Sequence, residues 1–151
     1  MNVEFKNENL TYKTGVPIPV DVYNRMRLAF GWTEIDPAQV VRGFQNSDLL
    51  LSVWDQDRPV GTARTVSDGG YMVLIVDVMV DPEYQGRGIG REFMERILTY
   101  YREHTLPEET RMINLMAAFG KEGFYQKFGF EERPNPTGGA GMVLWMRPQP
   151  V

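Results

Sequence analysis

Residues 75–90 read IVDVMVDPEYQGRGIG, and this stretch decides the fold. A run of mostly β-branched apolar residues ends at Asp81-Pro82, and glycines at positions 86, 88 and 90 then lead into a helical pattern. Glycine has no Cβ to block a close approach, and the N–H groups of a first helical turn are unpaired and carry partial positive charge. The stretch therefore predicts a phosphate-binding site, suited to a cofactor that carries a pyrophosphate.

The segments next to this stretch predict a strand before it and a helix after it. Residues 72–80 are apolar at nearly every position, which is typical of a strand covered on both faces and places it centrally in a sheet. The helix is expected to run to about Glu103, with an apolar stripe formed by Ile89, Phe93, Ile97 and Tyr100.

The remaining elements follow from periodicity and from turn residues. We expect strands at 3–12, 49–54, 59–66, 111–116, 130–133 and 142–146, and helices at 20–30, 37–44 and 121–128. Asp36 is a cap before a first-turn proline, and Gly129 is a C-terminal cap. This order predicts an α/β (α+β) fold with a mixed central β-sheet of about six to seven strands flanked by about four helices.

Composition bounds the class of protein. The chain has 151 residues, 42% of them hydrophobic and 24% charged, which predicts a single domain over 1–151. No apolar run approaches the roughly 20 residues of a membrane span, and the first ten residues do not resemble a secretory signal, so we expect a cytoplasmic protein without membrane contact. The net charge of −4 argues against a non-specific nucleic-acid binder.

The absence of cysteine and the single histidine limit the available chemistry. Without cysteine there are no disulfides, no thiolate catalysis and no cysteine-based metal site, and we expect no metal. One histidine, His104, gives little basis for a Ser-His-Asp triad. The chemistry must use carboxylates, hydroxyls, phenols or the backbone.

The glycine spacing excludes the two commonest phosphate motifs. A Rossmann fingerprint needs G-x-G-x-x-G, and a P-loop needs Gly-Lys followed by Ser or Thr, but here glycine occupies every second position. What remains is a backbone cradle at a helix N-terminus with Arg87 and Arg91 nearby. The alternative is that the glycines only make a tight turn between strand and helix.

The glycine string at 85–90 and the segment at 124–130 are two motifs that, in this order along the chain, resemble the GNAT superfamily of N-acetyltransferases. Gln85, Gly88 and Gly90 match the superfamily pattern of Gln or Arg, two residues, Gly, one residue, and Gly or Ala. The second motif is a short helix with a tyrosine followed by Gly-Phe, matched by residues 124–130, FYQKFGF. The order of strands and helices also resembles the GNAT fold, and the resemblance covers roughly residues 5–146.

The resemblance implies a cofactor, acetyl-CoA, and a role for particular residues. Backbone groups of Val78, Met79 and Val80 would bind the pantetheine arm beside the central strand. The pyrophosphate would be held by Gln85, Gly86, Arg87, Gly88, Ile89, Gly90 and Arg91. Tyr125 would be the general acid that protonates the departing thiolate. The reaction would be direct attack by a primary amine, with no covalent enzyme intermediate.

The proton transfers are chemically reasonable, but the base has several candidates. A phenol with a pKa of ~10 is roughly matched to a coenzyme A thiolate, although Tyr125 could also be half-buried packing. Asp77 is either a base acting through water or a structural acceptor. Glu34 and Asp36 could also reach a bound amine. If the amine loses its proton through ordered water, none of these carboxylates is needed as a base. Ala118 stands where many relatives have an asparagine that binds the pantetheine.

The acceptor side is less defined. Trp32 and Glu34, with Asp77, are the candidate acceptor-binding residues, because an aromatic wall and an acid suit an alkyl or arylalkyl amine. Residues 134–141 form either a lid or a plain connection. We therefore expect a small-molecule amine acceptor. The alternatives are a peptide or protein N-acetyltransferase, a non-catalytic acyl-CoA-binding module and a module for other nucleotides. The sequence leaves open whether the chain forms a homodimer, which is the commonest assembly of soluble proteins.

Overall fold

The computed structural model describes residues 9–148. Five strands, four α-helices and one 3-10 turn follow one another along this part of the chain. Their bounds are β1 Leu10–Thr14, α1 Val20–Ala29, α2 Pro37–Gln45, β2 Leu49–Asp55, β3 Arg58–Ser67, β4 Met72–Val80, the 3-10 turn Pro82–Tyr84, α3 Ile89–Glu103, β5 Met112–Leu115 and α4 Glu122–Gln126. The chain divides after Leu115 into two units, which are described separately.

The first unit contains one mixed sheet of five strands in the order β1-β2-β3-β4-β5. The first four strands pair antiparallel with their sequence neighbours, and β5 lies parallel to β4. A parallel pair needs a crossover connection, which α3 supplies. The strand at 72–80 has neighbours on both sides, as its apolar composition predicts.

The two faces of this sheet are covered by different helices. One face packs with α1 and α2 around a cluster of Ile18, Val22, Tyr23, Met26, Val40, Phe44, Leu50 and Met79. The other face lies against α3, whose Phe93, Met94 and Ile97 are completely buried. At Gly61 the contact is so close that a Cβ would lie 2.9 Å from Cγ1 of Val53 and 3.2 Å from Cε2 of Phe93. Only glycine allows α3 to approach the sheet at this point.

Helix-terminal signals in the sequence are confirmed. The Asp36 carboxylate accepts a hydrogen bond from the Gln39 N–H at 3.1 Å, and Pro37 occupies the first helical position of α2. In the second unit, Gly129 has a φ of +92° and donates its N–H to the Gln126 carbonyl at 3.0 Å. The last helix is shorter than predicted, because it ends at Gln126.

The predicted strand count of six to seven was too high. Strands predicted at 130–133 and 142–146 are not formed in the described part of the second unit, which has only an isolated bridge between Asn135 and Gly138. A strand requires a neighbour for its backbone groups. Pro134 and Pro136 supply no N–H, and the Asn135 side chain instead accepts from the Thr137 N–H at 3.0 Å, which makes a turn.

The apolar pattern at 142–146 was therefore misleading. Met142 and Met146 are each 90% exposed, so the alternation reflects composition and not a buried strand face. At the other end of the chain, β1 begins at Leu10, and residues 3–8 of the predicted first strand lie outside the described residues. Within 9–148, no helix combines the length and the apolar character that a membrane crossing requires.

Candidate active site

The pairing between β4 and β5 stops halfway along β4. Paired residues run from Met72 opposite Met112 to Ile75 opposite Leu115, where β5 ends. Beyond this point, residues 76–80 of β4 are paired only with β3 within the first unit. One backbone edge of this segment therefore has no strand partner within the first unit, and an extended ligand with amide groups suits such an edge. The Met79 side chain is completely buried in the α1 and α2 cluster, so Met79 can offer only its backbone.

A network of polar side chains fixes the turn that follows β4. The Asp81 carboxylate accepts from the Glu83 N–H at 3.0 Å and from Nη2 of Arg58 at 3.1 Å. The same Arg58 nitrogen lies 2.6 Å from the Glu83 carboxylate. Tyr84 donates its hydroxyl to the Asp55 carboxylate at 2.7 Å. The partners of Asp81 and Tyr84 lie on β2 and β3, more than 20 residues away in sequence, so no local pattern predicts these contacts.

The glycine string has the geometry of an anion cradle. Gly86 and Gly88 have φ values of +76° and +81°, and a Cβ at either position would meet no atom within 4 Å. Both positions therefore require the left-handed conformation and face open space. The Glu92 N–H donates to the Gly88 carbonyl at 3.0 Å, so the N–H groups of the three preceding residues of α3 have no intrahelical acceptor. These groups fit a phosphate.

The two arginines near the glycine string have different environments. Nη2 of Arg87 donates to the Glu83 carbonyl at 2.9 Å, and its guanidinium lies 4.5 Å from the centre of the Tyr84 ring. Arg87 is therefore a brace for the turn. Arg91 is 73% exposed and pairs with Glu95 at 2.8 Å, which leaves it able to reorient toward an anion.

Gln85 and Ile89 also contribute in different ways. The Gln85 carboxamide donates to the Val80 carbonyl at 3.1 Å and so ties the end of β4 to the glycine string. The Ile89 side chain is buried, so this residue can offer a ligand only its backbone N–H. The unpaired edge of β4 and the glycine string are thus neighbouring segments of the first unit, joined by the turn at 81–85.

Asp77 lies in a cluster of charged groups. Its Oδ2 accepts from Nε of Arg64 at 2.7 Å and from the Tyr23 hydroxyl at 3.0 Å. Nη1 of Arg27 lies 3.7 Å from Oδ1. Burial, followed by the Asp77 charge, raises the pKa of Tyr23 to about 12, so the phenol is neutral at physiological pH. These contacts are those of a structural acceptor.

The loop between α1 and α2 is fixed from the side of α1. The Asn24 carboxamide donates to the Ile35 carbonyl at 2.9 Å and accepts from the Ile35 N–H at 3.0 Å. Nε of Arg27 donates to the Thr33 carbonyl at 2.8 Å. Because these bonds hold the middle and the last part of the loop, its backbone is preorganised.

The candidate acceptor residues on this loop differ in accessibility. Trp32 is half-buried against the core cluster, and the Arg27 guanidinium lies 5.4 Å from its ring centre. Glu34 is exposed. An aromatic face and an exposed carboxylate on one short loop are compatible with an ammonium-bearing ligand.

Tyr125 belongs to the second unit. It lies on α4, half-buried, with edge contacts to Phe124 at 4.9 Å and Phe130 at 6.2 Å between ring centres. Burial raises the pKa of its phenol above the usual ~10, at which the group already carries its proton at neutral pH. This protonation state is the one that a general acid needs.

Comparison with known proteins points to one family. Residues 46–132 match the family model described as an acetyltransferase (GNAT) domain. GCN5-related N-acetyltransferase 1, chloroplastic, of Arabidopsis thaliana is 33% identical over 137 residues, covering 89% of this chain and 66% of the relative. Histone acetyltransferase TAP1 of Glycine max is 30% identical over 139 residues, covering 83% of this chain and 58% of that relative.

A solved structure shows the same fold. A probable acetyltransferase of meticillin-resistant Staphylococcus aureus superposes with a TM-score of 0.78 at 26% identity, covering 90% of this chain and 99% of its own. The chain spans 58–66% of the length of the two curated relatives.

Proposed function

This chain belongs to the GNAT family of acetyltransferases, and we propose that it transfers the acetyl group of acetyl-CoA to the primary amine of a small molecule. The observation that carries the proposal is the end of β4–β5 pairing after Ile75, in the strand that leads through residues 81–85 into the glycine string. An unpaired strand edge and a helix N-terminus in consecutive residues match a ligand that has an amide-bearing arm and a pyrophosphate.

The residues of the first unit are proposed to bind the cofactor. The backbone of Val78, Met79 and Val80 binds the pantetheine arm. The N–H groups of Gly88 to Arg91 bind the pyrophosphate, with Gln85, Gly86 and Arg87 holding the loop in shape. When bound, acetyl-CoA supplies an activated thioester carbonyl. A backbone N–H of the 78–80 segment polarises that carbonyl, and the positioning of two reactants can contribute up to ~7–11 kcal/mol.

Tyr125 is proposed to hold the proton that the leaving sulfur requires. The support for this role is the position of Tyr125 in the motif of residues 124–130. A phenol carries its proton at neutral pH, as a general acid must, although burial raises the pKa of Tyr125 and so makes it a weaker acid. The incoming amine attacks directly and loses its proton to water or to an exposed carboxylate such as Glu34. The ion pairs of Asp77 support its structural role over a role as base.

The acceptor is proposed to be a small amine that contacts Trp32 and Glu34 on the fixed loop between α1 and α2. A second candidate is a lysine of a protein, which is favoured by the relative named as a histone acetyltransferase. The two candidates differ in what surrounds the amine. A small amine depends on an aromatic contact, whereas a peptide requires an open groove.

The test is acetylation by the purified chain of a panel that contains alkylamines, arylalkylamines and lysine peptides. Release of the coenzyme A thiol and the product mass would be measured. We expect turnover of at least one small amine, with peptides acetylated more slowly. Binding of acetyl-CoA without turnover of any panel member would favour a non-catalytic module.

A thermal-shift comparison tests the cofactor itself. A ligand present at 100 times its dissociation constant stabilises the folded state by about 2.7 kcal/mol. We expect a shift with acetyl-CoA and coenzyme A. A shift with ATP or NAD alone would contradict the proposal and favour another nucleotide.

The organisation of the whole protein is also proposed. The family match at 46–132 runs across the boundary after Leu115, which supports one acetyltransferase domain made of both units. A cytoplasmic location and a homodimer stay predictions, and the first eight residues, on which the former partly depends, lie outside the described part of the chain.

A further inference from the structure

The middle of β4 contains a β-bulge with Asp77 as the extra residue. On β3, Thr62 and Arg64 are two positions apart, but their partners on β4, Met79 and Val76, are three apart. Asp77 has a φ of +54°, a conformation that a non-glycine residue adopts only at a cost of order 1–3 kcal/mol. Bulges bend a strand and increase its twist. This bulge separates the part of β4 that pairs with β5 from the unpaired edge at 78–80.

The side chains around Asp77 hold the bulge from two elements. Arg64 reaches it from β3 at 2.7 Å, while Tyr23 and Arg27 reach it from α1 at 3.0 and 3.7 Å. The side chains of Arg27, Arg64 and Asp77 are only 10%, 18% and 9% exposed. Pairs shielded from water in this way are weakly screened and geometrically specific.

The charge balance argues against Asp77 as the base. Two guanidinium groups face one carboxylate, so Asp77 is the counter-ion of two shielded cations. Both of its oxygens are engaged by these groups, Oδ2 by Arg64 and Tyr23 and Oδ1 by Arg27. The carboxylate is thus committed to its neighbours, and its effect on the reaction must pass through the backbone that it anchors.

From this geometry we infer that Asp77 and Arg64 are a positioning pair, which sets the bulge so that the 78–80 edge presents its backbone to the acyl-bearing arm of the cofactor. The inference rests on the proposed function and assigns these two residues a role in it. Tyr23 and Arg27 contact Asp77 from α1, and Arg27 also binds the loop that carries Trp32. This loop and the 78–80 edge are therefore both held through α1.

The test is calorimetric titration with coenzyme A, which binds without turnover. The variants are Asp77→Asn, Arg64→Gln and their combination. Asparagine is nearly the shape of aspartate and tolerates a positive φ. We expect each single variant to raise the dissociation constant about tenfold. The double variant should bind coenzyme A about as weakly as the weaker-binding single variant, because all three lose the Arg64–Asp77 contact.

Two further variants keep the result decisive. Tyr23→Phe removes one hydrogen bond from Asp77 and is expected to raise the dissociation constant about threefold if Asp77→Asn does not fold. Tyr101→Phe is the matched control. Tyr101 bonds Asp48 and Thr65 at 2.6 Å each on the α3 side of the sheet, so its loss should lower the melting temperature with coenzyme A affinity unchanged.

The outcomes separate this inference from the proposed function. If the unaltered chain binds no coenzyme A, the proposed function fails. If it binds and acetylates, but Asp77→Asn keeps its affinity within twofold, the positioning role is wrong. An unchanged affinity with a large loss of kcat would make Asp77 a base, and an unchanged affinity with only a lower melting temperature would make it purely structural.

Discussion

The Arg87 guanidinium stacks on the Tyr84 ring at 4.5 Å while its Nη2 donates to the Glu83 carbonyl at 2.9 Å. An arginine inside a phosphate-binding string is usually taken as a direct ligand of the anion. Here these two contacts hold the turn that precedes the glycines. We therefore attribute to Arg87 the shape of the string, and to the α3 backbone the contact with phosphate.

Replacement of this arginine tests that division of roles. Arg87→Ala removes a partly buried cation–π contact of about 1 kcal/mol and a hydrogen bond of about 1 kcal/mol. We expect urea unfolding to show a loss of about 1–2 kcal/mol and coenzyme A to bind several-fold more weakly. Tyr84→Leu should reproduce most of the affinity loss, whereas Arg25→Ala, at an exposed position of α1, should change neither quantity. A normal affinity in Tyr84→Leu would contradict the bracing role.

The glycine at the start of α3 provides a sharper test of the cradle. Gly88→Ala places a Cβ in open space at a positive φ, which costs about 1–2 kcal/mol of stability without any clash inside the protein. The same Cβ would meet a bound phosphate, so we expect coenzyme A affinity to fall by about tenfold or more.

The matched control for this change is Gly69→Ala. Gly69 has a φ of +79° and nothing within 4 Å of its Cβ position, but it lies in the turn between β3 and β4. It should lose the same stability and keep full affinity. Equal affinities in the two variants, measured by calorimetry, would show that phosphate does not approach Gly88.

Tyr125 is expected to affect turnover and not binding. Tyr125→Phe removes the proton donor, and general acids contribute about 10²–10⁴-fold to rates. We expect kcat to fall by at least about a hundredfold, with the dissociation constant of acetyl-CoA unchanged. Tyr71→Phe, at an exposed position before β4, serves as the control.

The pH dependence gives a second measurement on the same residue. Because burial raises the pKa of Tyr125 above its usual 10, the acid form persists to higher pH, and activity attributable to this group should decline only beyond pH 10. A basic limb that is identical in Tyr125→Phe would assign the decline to another group.

Stability in alkali should report the buried phenol of Tyr23. Its pKa is raised to about 12, so the folded state keeps a proton that the unfolded chain loses near pH 10. The stabilisation from this group is therefore complete below pH 10 and is lost as pH rises toward 12.

The variant Tyr23→Phe should lack this decline in stability with pH. At pH 8 it lacks a hydrogen bond and should be less stable by about 1 kcal/mol. Above pH 10 the difference should shrink, because only the chain with Tyr23 pays the ionisation cost. Urea unfolding at pH 8, 10 and 11 measures it, and a gap that widens with pH would refute the assignment.

Local signals in the sequence predicted the parts of the fold that depend on local physics. The Asp36 cap and the Gly129 cap each arise within a few residues, and the structure confirms both. In the apolar stripe of α3, Ile89, Phe93 and Ile97 are buried as predicted, but Tyr101 is buried in place of Tyr100. The glycine string was also read from its own residues, because helix-terminal geometry needs no distant partner.

Features that depend on distant partners could not be predicted in this way. The bulge at Asp77 is fixed by Arg64 and by Tyr23, which lies 54 residues away in sequence. Likewise, Met142 to Met146 has a strand-like composition, but composition does not say whether a neighbouring strand is present to accept its backbone bonds. Pairing is a property of two segments, and a single apolar pattern describes only one.

Gly61 shows how a residue outside the cofactor site can control its alignment. Phe93 presses on the sheet where Gly61 leaves room, only four residues after α3 begins. A Cβ at position 61 would come within 2.9 Å of Val53 and 3.0 Å of the Met79 carbonyl, closer than to Phe93, so the strain would fall first on β2 and on the backbone of β4. That part of β4 leads directly into the glycine string. Its backbone position is therefore sensitive to a single methyl group on the neighbouring strand.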